Sequence, residues 1–334
     1  MSTARRWALS ALLLAAWALL TATTTAQAQG ASVCPPLAVN LQRVHNGLWL
    51  RPAQPGAASG WTEPTLIWVD ARTLWIADPG PHRCAGLALR RALQARWPGR
   101  AQQLINSHAH PDNVLANSAW PAGTPIYALA GVRQQMQQRC PTCLQHLRDV
   151  LGPQWMRDTR IVLPNRVLEP GQWLTLGGTR WQVQAHQHAH TEADLSLWQP
   201  DSEDWFPGGL LAWDGVPDLS RGDLAGWQAA LRWPDVGGSA AATPPLRVLG
   251  AATSAQGQAR LQATRVYLDA LAQHLRQADA QGADLQQVLN GPDVLPPDAR
   301  NNPALQTRHQ RNLQRAWRQF EDAALGTPPP SAPN

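Results

Sequence analysis

The sequence predicts a layered α/β sandwich, with strands at the centre and helices outside. Three observations support this class. Short apolar segments between Gly, Pro and Asp residues predict strands, and leucines at three- and four-residue steps predict helices between them. The segments alternate through two similar halves. The length of 334 residues and the hydrophobic content of 44% suit one large domain with an appendage.

The predicted elements begin with strands and then alternate. In the first half they are strands at 47–50, 66–69 and 73–78, a helix at 85–97, a strand at 103–106, a helix at 113–120, a strand at 124–127 and a helix at 132–151. In the second half they are strands at 160–168, 172–176, 180–185 and 193–198, a helix at 224–231, a strand at 246–249 and a helix at 261–278.

The chain after residue 280 has a different character. Residues 281–300 are polar with several prolines, and residues 303–323 predict an amphipathic helix. One face of this helix carries Arg308, Arg311, Arg315 and Arg318. A membrane or nucleic-acid stripe is one interpretation. A solvated face is favoured, because four arginines are few for an electrostatic anchor. The proline-rich residues from 327 onward are expected to be disordered.

The first residues predict export. Arg5 and Arg6 precede an apolar run at 7–20, and Ala26-Gln27-Ala28 offers a cleavage site, so residues 1–28 are interpreted as a signal peptide. The alternative is an uncleaved membrane anchor, but the apolar run is shorter than the roughly 20 residues that span a bilayer. The expected location is the periplasm, with a domain at 29–280 and a helical extension with a disordered tail at 281–334.

The charge balance predicts neither a nucleic-acid partner nor a membrane span. The formal net charge is +5, and the chain contains arginine but no lysine. Loss of the two signal arginines leaves about +3, which is weak support for any partner. No later segment reaches the length of a membrane span.

Four cysteines are expected to form disulfides in an oxidising compartment. Cys140 and Cys143 could close locally, which leaves Cys34 with Cys84. The alternative is a redox-active C-x-x-C pair. The structural interpretation is favoured, because the pair lies in a helical stretch without a thioredoxin-like βαβ pattern around it.

The segment at 106–113 carries the chemistry. His108 and His110 follow a predicted strand, so both imidazoles can turn to one point. The best candidate for a third imidazole is His190, in a second histidine cluster that also contains His186 and His188. Three imidazoles and a water molecule satisfy the tetrahedral preference of zinc. The two clusters therefore predict a zinc site.

The same residues resemble the metallo-β-lactamase superfamily, whose signature is H-x-H-x-D-H. His108, His110 and Asp112 match it, and Asn113 stands at the position of the last histidine. Residues 76–80 resemble the upstream strand of the family, and His190-Thr191 with Asp194-Leu195 resembles its downstream histidine loop. The order of motifs covers roughly residues 41–275. The signal peptide and the segment 139–143 look most like the exported quinoprotein relay system zinc metallohydrolases.

The resemblance implies a four-layer αββα sandwich with a C-terminal helical extension, and one zinc ion held by His108, His110 and His190. Of the second metal site only Asp112 remains. Gly209 stands where the family has a bridging aspartate, and Ala251 or a neighbour replaces the last metal histidine. His186 and His188 could form a non-standard second site, but exposed extra histidines are the favoured interpretation.

Two functions follow from this resemblance. The first is a periplasmic mono-zinc hydrolase, in which Asp112 positions a water molecule for attack on an ester-, amide- or thioester-type bond of an unknown small molecule. The second is a catalytically silent binding or accessory protein with a quinoprotein-system partner. A weaker third hypothesis is a thiol–disulfide protein acting through Cys140 and Cys143.

Overall fold

Two β-sheets lie at the centre of the computed structural model, which describes residues 34–45, 47–237, 246–291 and 294–324. The larger sheet has the strand order β1 to β7. Its strands are β1 Gln42–His45, β2 Leu48–Arg51, β3 Thr65–Val69, β4 Thr73–Ala77, β5 Ala101–Ile105, β6 Ile126–Leu129 and β7 Arg166–Leu168. Strands β1 to β4 pair antiparallel, and β4 to β7 pair parallel.

The second sheet has the order β12-β11-β10-β9-β8. Its strands are β8 Trp173–Leu176, β9 Thr179–Gln187, β10 Ala193–Gln199, β11 Asp204–Phe206 and β12 Arg247–Val248. Strands β8 to β11 form an antiparallel meander, and β11 pairs with β12 in parallel. The predicted strand at 160–168 is therefore too long, since only its last three residues pair. Pro164 lacks the backbone donor that a ladder needs.

Seven helices surround the sheets within the described ranges. They are α1 Arg83–Arg96, α2 Pro111–Val114, α3 Ala130–Trp155, α4 Leu224–Gly237, α5 Ser254–Ala280, α6 Leu285–Leu289 and α7 Pro303–Ala324. The predicted helix at 113–120 is instead the single turn of α2 followed by a 3₁₀ segment, Leu115–Ala119. No helix in these ranges has the length and apolarity needed to cross a membrane.

Alternation along the strands builds the layers. Leu66 and Trp68 of β3 face the second sheet, where Trp68 packs 5.3 Å from Trp181 between ring centroids. The intervening Ile67 faces the opposite side and packs with Leu89 of α1. Successive strand side chains point to opposite faces, so both faces of the first sheet are covered. The predicted α/β sandwich is confirmed.

The outer face of the second sheet supports the C-terminal helices. Trp205 of β11 shares one buried cluster with Trp227 of α4, Leu268 of α5 and Trp317 of α7. Residues 37–334 are assigned to one compact unit, so the described part of the segment after residue 280 belongs to the same unit as the sheets. Of the N-terminal unit, residues 1–36, the structure describes 34–36, which adopt no regular secondary structure. The predicted signal peptide and the tail from 327 lie outside the described residues.

The cysteine predictions have opposite outcomes. Cys34 and Cys84 are disulfide-bonded, as expected. The predicted bridge between Cys140 and Cys143 is wrong, since both thiols are free. Cys140 packs into the apolar layer between the sheets, and its Sγ lies 4.0 Å from the carbonyl oxygen of Ala109. Burial raises the pKa of the Cys140 thiol to about 12, which disfavours the reactive thiolate that a redox pair needs.

Candidate metal centre

Three histidines from two strand ends meet at one point. His108 and His110 follow β5, and His190 lies in the turn between β9 and β10. Their ring centroids are 4.4 to 5.0 Å apart, and one ligand nitrogen from each lies within 4.8 Å of the other two. The convergence predicted across about eighty residues of sequence is present. We call these three side chains the histidine cluster.

Ser107 fixes the orientation of His108. The Ser107 hydroxyl lies 2.5 Å from Oδ2 of Asp78 and 2.8 Å from Nδ1 of His108. A hydroxyl has one proton, and the short contact with the carboxylate assigns it to Asp78. Nδ1 of His108 then donates to the Ser107 oxygen, so Nε2 keeps its lone pair. This arrangement is typical of metal-binding histidines, whose second nitrogen is held by a polar partner.

Asp78 is placed by the end of β4. It adopts a left-handed backbone conformation with φ of 53°, and its carboxylate also accepts a 2.9 Å hydrogen bond from the backbone N–H of Ser107. Burial raises the pKa of Asp78 to about 7, although the hydrogen bonds from Ser107 oppose this shift. The parallel pairing of β4 with β5 brings the two strand ends side by side.

The imidazoles of His108 and His110 are held neutral. Burial lowers the pKa of His108 well below its ordinary value, and the neighbouring rings of His190 and His110 lower it further. Burial likewise lowers the pKa of His110 to about 3, with a further contribution from His190. Metal ions bind only the neutral form of histidine, so this environment suits coordination.

Asn113 occupies the position of the last histidine in the family signature. Its side-chain amide lies 3.1 Å from Nε2 of His108, to which it donates. An ion at this nitrogen would take the place of that hydrogen bond. Asn113 therefore presents an amide donor at this point of the site, where the resemblance implies an imidazole ligand.

His190 is supported from two sides. Its Nδ1 lies 3.4 Å from Oδ1 of the buried Asp194, whose carboxylate accepts hydrogen bonds from the backbone N–H and hydroxyl of Thr191. The indole of Trp227 packs against the His190 ring at 4.9 Å between centroids. Trp227 is itself fixed by a 2.9 Å hydrogen bond to the carbonyl of Leu210.

Gly209 leaves the space that the imidazoles occupy. A β-carbon at this position would overlap Nδ1 and Cε1 of His190 and would lie 2.8 Å from Cε1 of His108. Real β-carbons do not approach other atoms so closely. The bridging aspartate that the family carries here is therefore absent from this chain and has no room in this arrangement of rings.

The histidine cluster lies in the wall of a cavity of about 150 Å³. The described residues that line it are Thr62, Glu63, His108, His110, Asp112, Asn113, His190, Gly209, Leu211, Ala212, Trp213, Asp214, Val216, Pro217, Asp218, Trp227 and Arg308. Asp112 lies at the cavity, in the first turn of α2, and its roles as a metal ligand and as the residue that positions water stay predictions. Burial raises its pKa above the ordinary value.

Several cavity residues were missed by the sequence interpretation. Glu63, Asp214 and Asp218 line the wall without belonging to any motif. Burial raises the pKa of Glu63 well above its ordinary value, and Asp112 and Asp214 raise it further. Arg308 was assigned to a solvated helix face. It instead pairs with Oδ2 of Asp214 at 2.6 Å and lines the cavity.

The two extra histidines do not join the cluster. His186 is 8% exposed, and its Nε2 lies 2.8 Å from the hydroxyl of Ser196, so the expectation that it is exposed is wrong. His186 is paired within β9 and points to the face opposite that of the buried Trp181 and Val183, yet it is buried there as well. His188 is exposed, at a left-handed φ of 50°. Within the described residues, neither forms a second group of metal ligands.

Comparison with solved structures identifies the fold. A metallo-β-lactamase from Pontibacter korlensis superposes with a TM-score of 0.52 at 14% identity, covering 70% of this chain and 99% of that one. The TMB-1 structure gives 0.49 at 15% identity with 70% and 98% coverage, and the DIM-1 metallo-β-lactamase gives 0.47 at 14% identity with 71% and 99% coverage. No protein-family model and no curated protein matches the sequence. The chain therefore has the metallo-β-lactamase fold, an αββα sandwich that continues into a C-terminal helical extension.

Proposed function

We propose that this protein is a metal-dependent hydrolase that binds one zinc ion through His108, His110 and His190. The observation that carries the proposal is the convergence of three imidazoles in the wall of a cavity. Catalytic zinc sites typically use three protein ligands and keep a fourth position open. The predicted signal peptide and the disulfide between Cys34 and Cys84 support export to the periplasm.

The donor set fits zinc on its chemistry. Imidazole nitrogens are ligands that zinc accepts readily, and the Ser107 hydroxyl holds Nδ1 of His108. Nδ1 of His190 is buried without a hydrogen bond and lies 3.4 Å from the Asp194 carboxylate. A zinc ion bound here would polarise a substrate carbonyl and acidify a water molecule. The overlap at Gly209 argues against a second ion bridged in the manner of the family.

Side chains around the histidine cluster would position water and shield the metal site. Asp112 has a carboxylate at the cavity, where it can hold a water molecule or accept a proton. Trp227 covers one side of the His190 ring and excludes water from it. The cavity volume of about 150 Å³ admits a small acyl group. The substrate class is a small molecule with an ester-, amide- or thioester-type bond.

Metal content and esterase activity test the proposal together. The full mature chain, loaded with zinc and dialysed, is expected to retain close to one ion, and His190→Ala is expected to lose it. His188→Ala is the matched control, since this exposed histidine lies two residues away outside the cluster. A panel of chromogenic esters and thioesters is expected to show zinc-dependent turnover that Asp112→Asn lowers about a hundredfold or more. Equal zinc content in both histidine variants would refute the site.

A second candidate is a catalytically silent zinc-binding protein that serves a quinoprotein system. The amide of Asn113 on His108 favours it, because this residue replaces a metal ligand of the family signature. Retention of one zinc ion without turnover of any ester, amide or thioester in the panel would favour this candidate. Co-purification with an exported quinoprotein, reduced by substitutions around the cavity, would then identify the partner.

A further inference from the structure

An irregular loop at 211–223 forms much of the cavity wall. Trp213, Asp214, Val216, Pro217 and Asp218 all line the cavity, and none of them lies in a helix or strand. A loop of this length without secondary structure needs support from outside. Its buried backbone groups also need hydrogen-bond partners. We call residues 211–223 the wall loop.

The partners come from the C-terminal helix. The side-chain amide of Asn312 in α7 donates to the carbonyl of Pro217 at 2.7 Å, and its oxygen accepts from the N–H of Leu219 at 3.0 Å. Gln319, two turns further along α7, donates to the carbonyl of Gly222 at 2.8 Å and accepts from the N–H of Leu224 at 3.2 Å. Each amide therefore satisfies one donor and one acceptor of the backbone at or beside the wall loop.

Helical spacing places these contacts on one stripe. Arg308, Asn312 and Gln319 are separated by four and seven residues, which returns them to the same face of a helix. Arg308 adds a 2.8 Å hydrogen bond to the carbonyl of Val216. Asn312 is fully buried, and its amide also donates to the hydroxyl of Tyr267 in α5 at 2.8 Å. The stripe is thus anchored to the core as well as to the wall loop.

The end of the wall loop contacts the turn that carries His190. The N–H of Asp223 donates to the carbonyl of Ala189 at 2.9 Å, and a β-carbon at Gly222 would lie 2.9 Å from the same oxygen. Gln319 holds the residues on both sides of Asp223, namely Gly222 and Leu224. A direct path of hydrogen bonds therefore joins α7 to the residue before His190.

We propose that Asn312 and Gln319 are positioning residues for the metal centre, which act through the wall loop and the Ala189 carbonyl on His190. Neither side chain lines the cavity, so neither would touch a bound metal ion or substrate. The effect on metal binding rests on the proposed function, whereas the effect on the wall loop does not. The C-terminal helix is then part of the functional unit.

Two measurements on the full chain test the proposal. Gln319→Met keeps much of the side-chain volume and removes both hydrogen bonds, and the adjacent exposed Arg318→Met is its control. Amide hydrogen exchange in peptides covering 211–224 is expected to accelerate about tenfold in Gln319→Met and not in Arg318→Met, because a net hydrogen bond corresponds to about this factor. Equal exchange in both variants, or acceleration spread evenly over the chain, would overturn the proposal.

Cobalt affinity, measured by absorption titration well below the melting temperature, supplies a readout that general destabilisation does not move. Gln319→Met is expected to bind cobalt several-fold more weakly than Arg318→Met, and unchanged affinity contradicts the link to His190. Asn312→Ala should also weaken cobalt binding. If Asn312→Ala does not fold, the cobalt affinity of Gln319→Met alone tests the proposal. If the unsubstituted protein binds no cobalt, the proposed function fails, and hydrogen exchange still tests the support of the wall loop.

Discussion

The α-carbon of Gly209 lies so close to His190 that a β-carbon there would overlap the imidazole. The histidine cluster and a side chain at position 209 are therefore mutually exclusive in this arrangement. In the resemblance to the metallo-β-lactamase superfamily, Gly209 stands where that superfamily has a metal-bridging aspartate. Position 209 therefore offers no side chain as a metal ligand, and the rings of the histidine cluster pack closely against its α-carbon.

Gly209→Ala should weaken metal binding without unfolding the protein. The added methyl group pushes the rings of His190 and His108 apart, so zinc affinity is expected to fall about tenfold or more. Isothermal competition with a chromogenic chelator measures it. Gly123→Ala is the control for general destabilisation. It strains an exposed turn, where Gly123 has a φ of 82°, but an added β-carbon there would meet no atom within 4 Å. Unchanged affinity in Gly209→Ala would contradict the steric argument.

Ser107→Ala should lower metal affinity through His108. The substitution removes the hydroxyl that lies 2.8 Å from Nδ1 of His108 and 2.5 Å from Asp78, so the ring loses its orientation. Loss of such a supporting contact typically costs about 10–100-fold in affinity. Ser118→Ala is matched to it, since this buried hydroxyl donates to the carbonyl of Leu115 and does not line the cavity. Equal zinc dissociation constants in the two variants would refute the role.

The layers and the histidine cluster could be predicted from the sequence because both follow from strands. Alternation of side chains in β3 places Leu66 and Trp68 on one face of the sheet and Ile67 on the other. Because both faces are apolar, each must be covered by another layer. His108 and His190 each follow a strand or lie in a turn between strands, and a sandwich brings such ends to one edge. Local periodicity is sufficient for this kind of contact.

The rest of the site depends on contacts that periodicity does not encode. Arg308 lies on the same helix face as the exposed Arg311, but it pairs with Asp214, which is 94 residues earlier in the chain. The position of the wall loop on α7 is visible only once both are placed. Cys140 was misjudged for a similar reason, because the even number of cysteines and the closeness of Cys143 in the sequence made a local bridge plausible and did not reveal the burial of Cys140.

His186 should make the protein less stable as the pH falls. Burial lowers the pKa of this imidazole to about 4, and Asp194 opposes the shift only in part. In the unfolded chain His186 is protonated near pH 6.5, whereas in the folded protein it is protonated only near pH 4. The free energy of unfolding therefore decreases as the pH falls between these values. The loss amounts to about 3 kcal/mol at most.

Urea unfolding of the metal-free protein between pH 4 and pH 8 measures this effect. His186→Gln lacks the titrating ring, so the difference in unfolding free energy between the two proteins should shrink or reverse as the pH falls. Other groups titrate in both proteins and cancel in the difference. The exposed His188→Gln should keep the slope of the unsubstituted protein. Identical slopes in all three would show that His186 does not carry the pH dependence.

The Asp218 carboxylate should select against anionic groups on the part of a substrate that lies beside it. Of the four carboxylates in the cavity wall, Glu63 and Asp112 have pKa values raised by burial, and Asp214 is already ion-paired. Although burial opposes it, hydrogen bonds from Ser220 lower the pKa of Asp218, so this carboxylate carries a negative charge. At an effective dielectric of about 20, two charges roughly 8–10 Å apart interact by about 2 kcal/mol. The ratio of kcat/KM for an ester with a cationic acyl group to that for its anionic analogue should therefore fall by about tenfold or more when the Asp218 carboxylate is removed.

Substitution of one wall carboxylate separates this effect from shape. Asp218→Asn should narrow the preference for the cationic ester over the anionic one, while Asp279→Asn, which removes an exposed carboxylate on α5 outside the cavity lining, should not. Added salt should narrow it as well, because the cavity is open to ions that screen the interaction. A preference that survives both Asp218→Asn and high salt would have to come from the fit of the acyl group, and the acidic wall would then play no part in substrate selection.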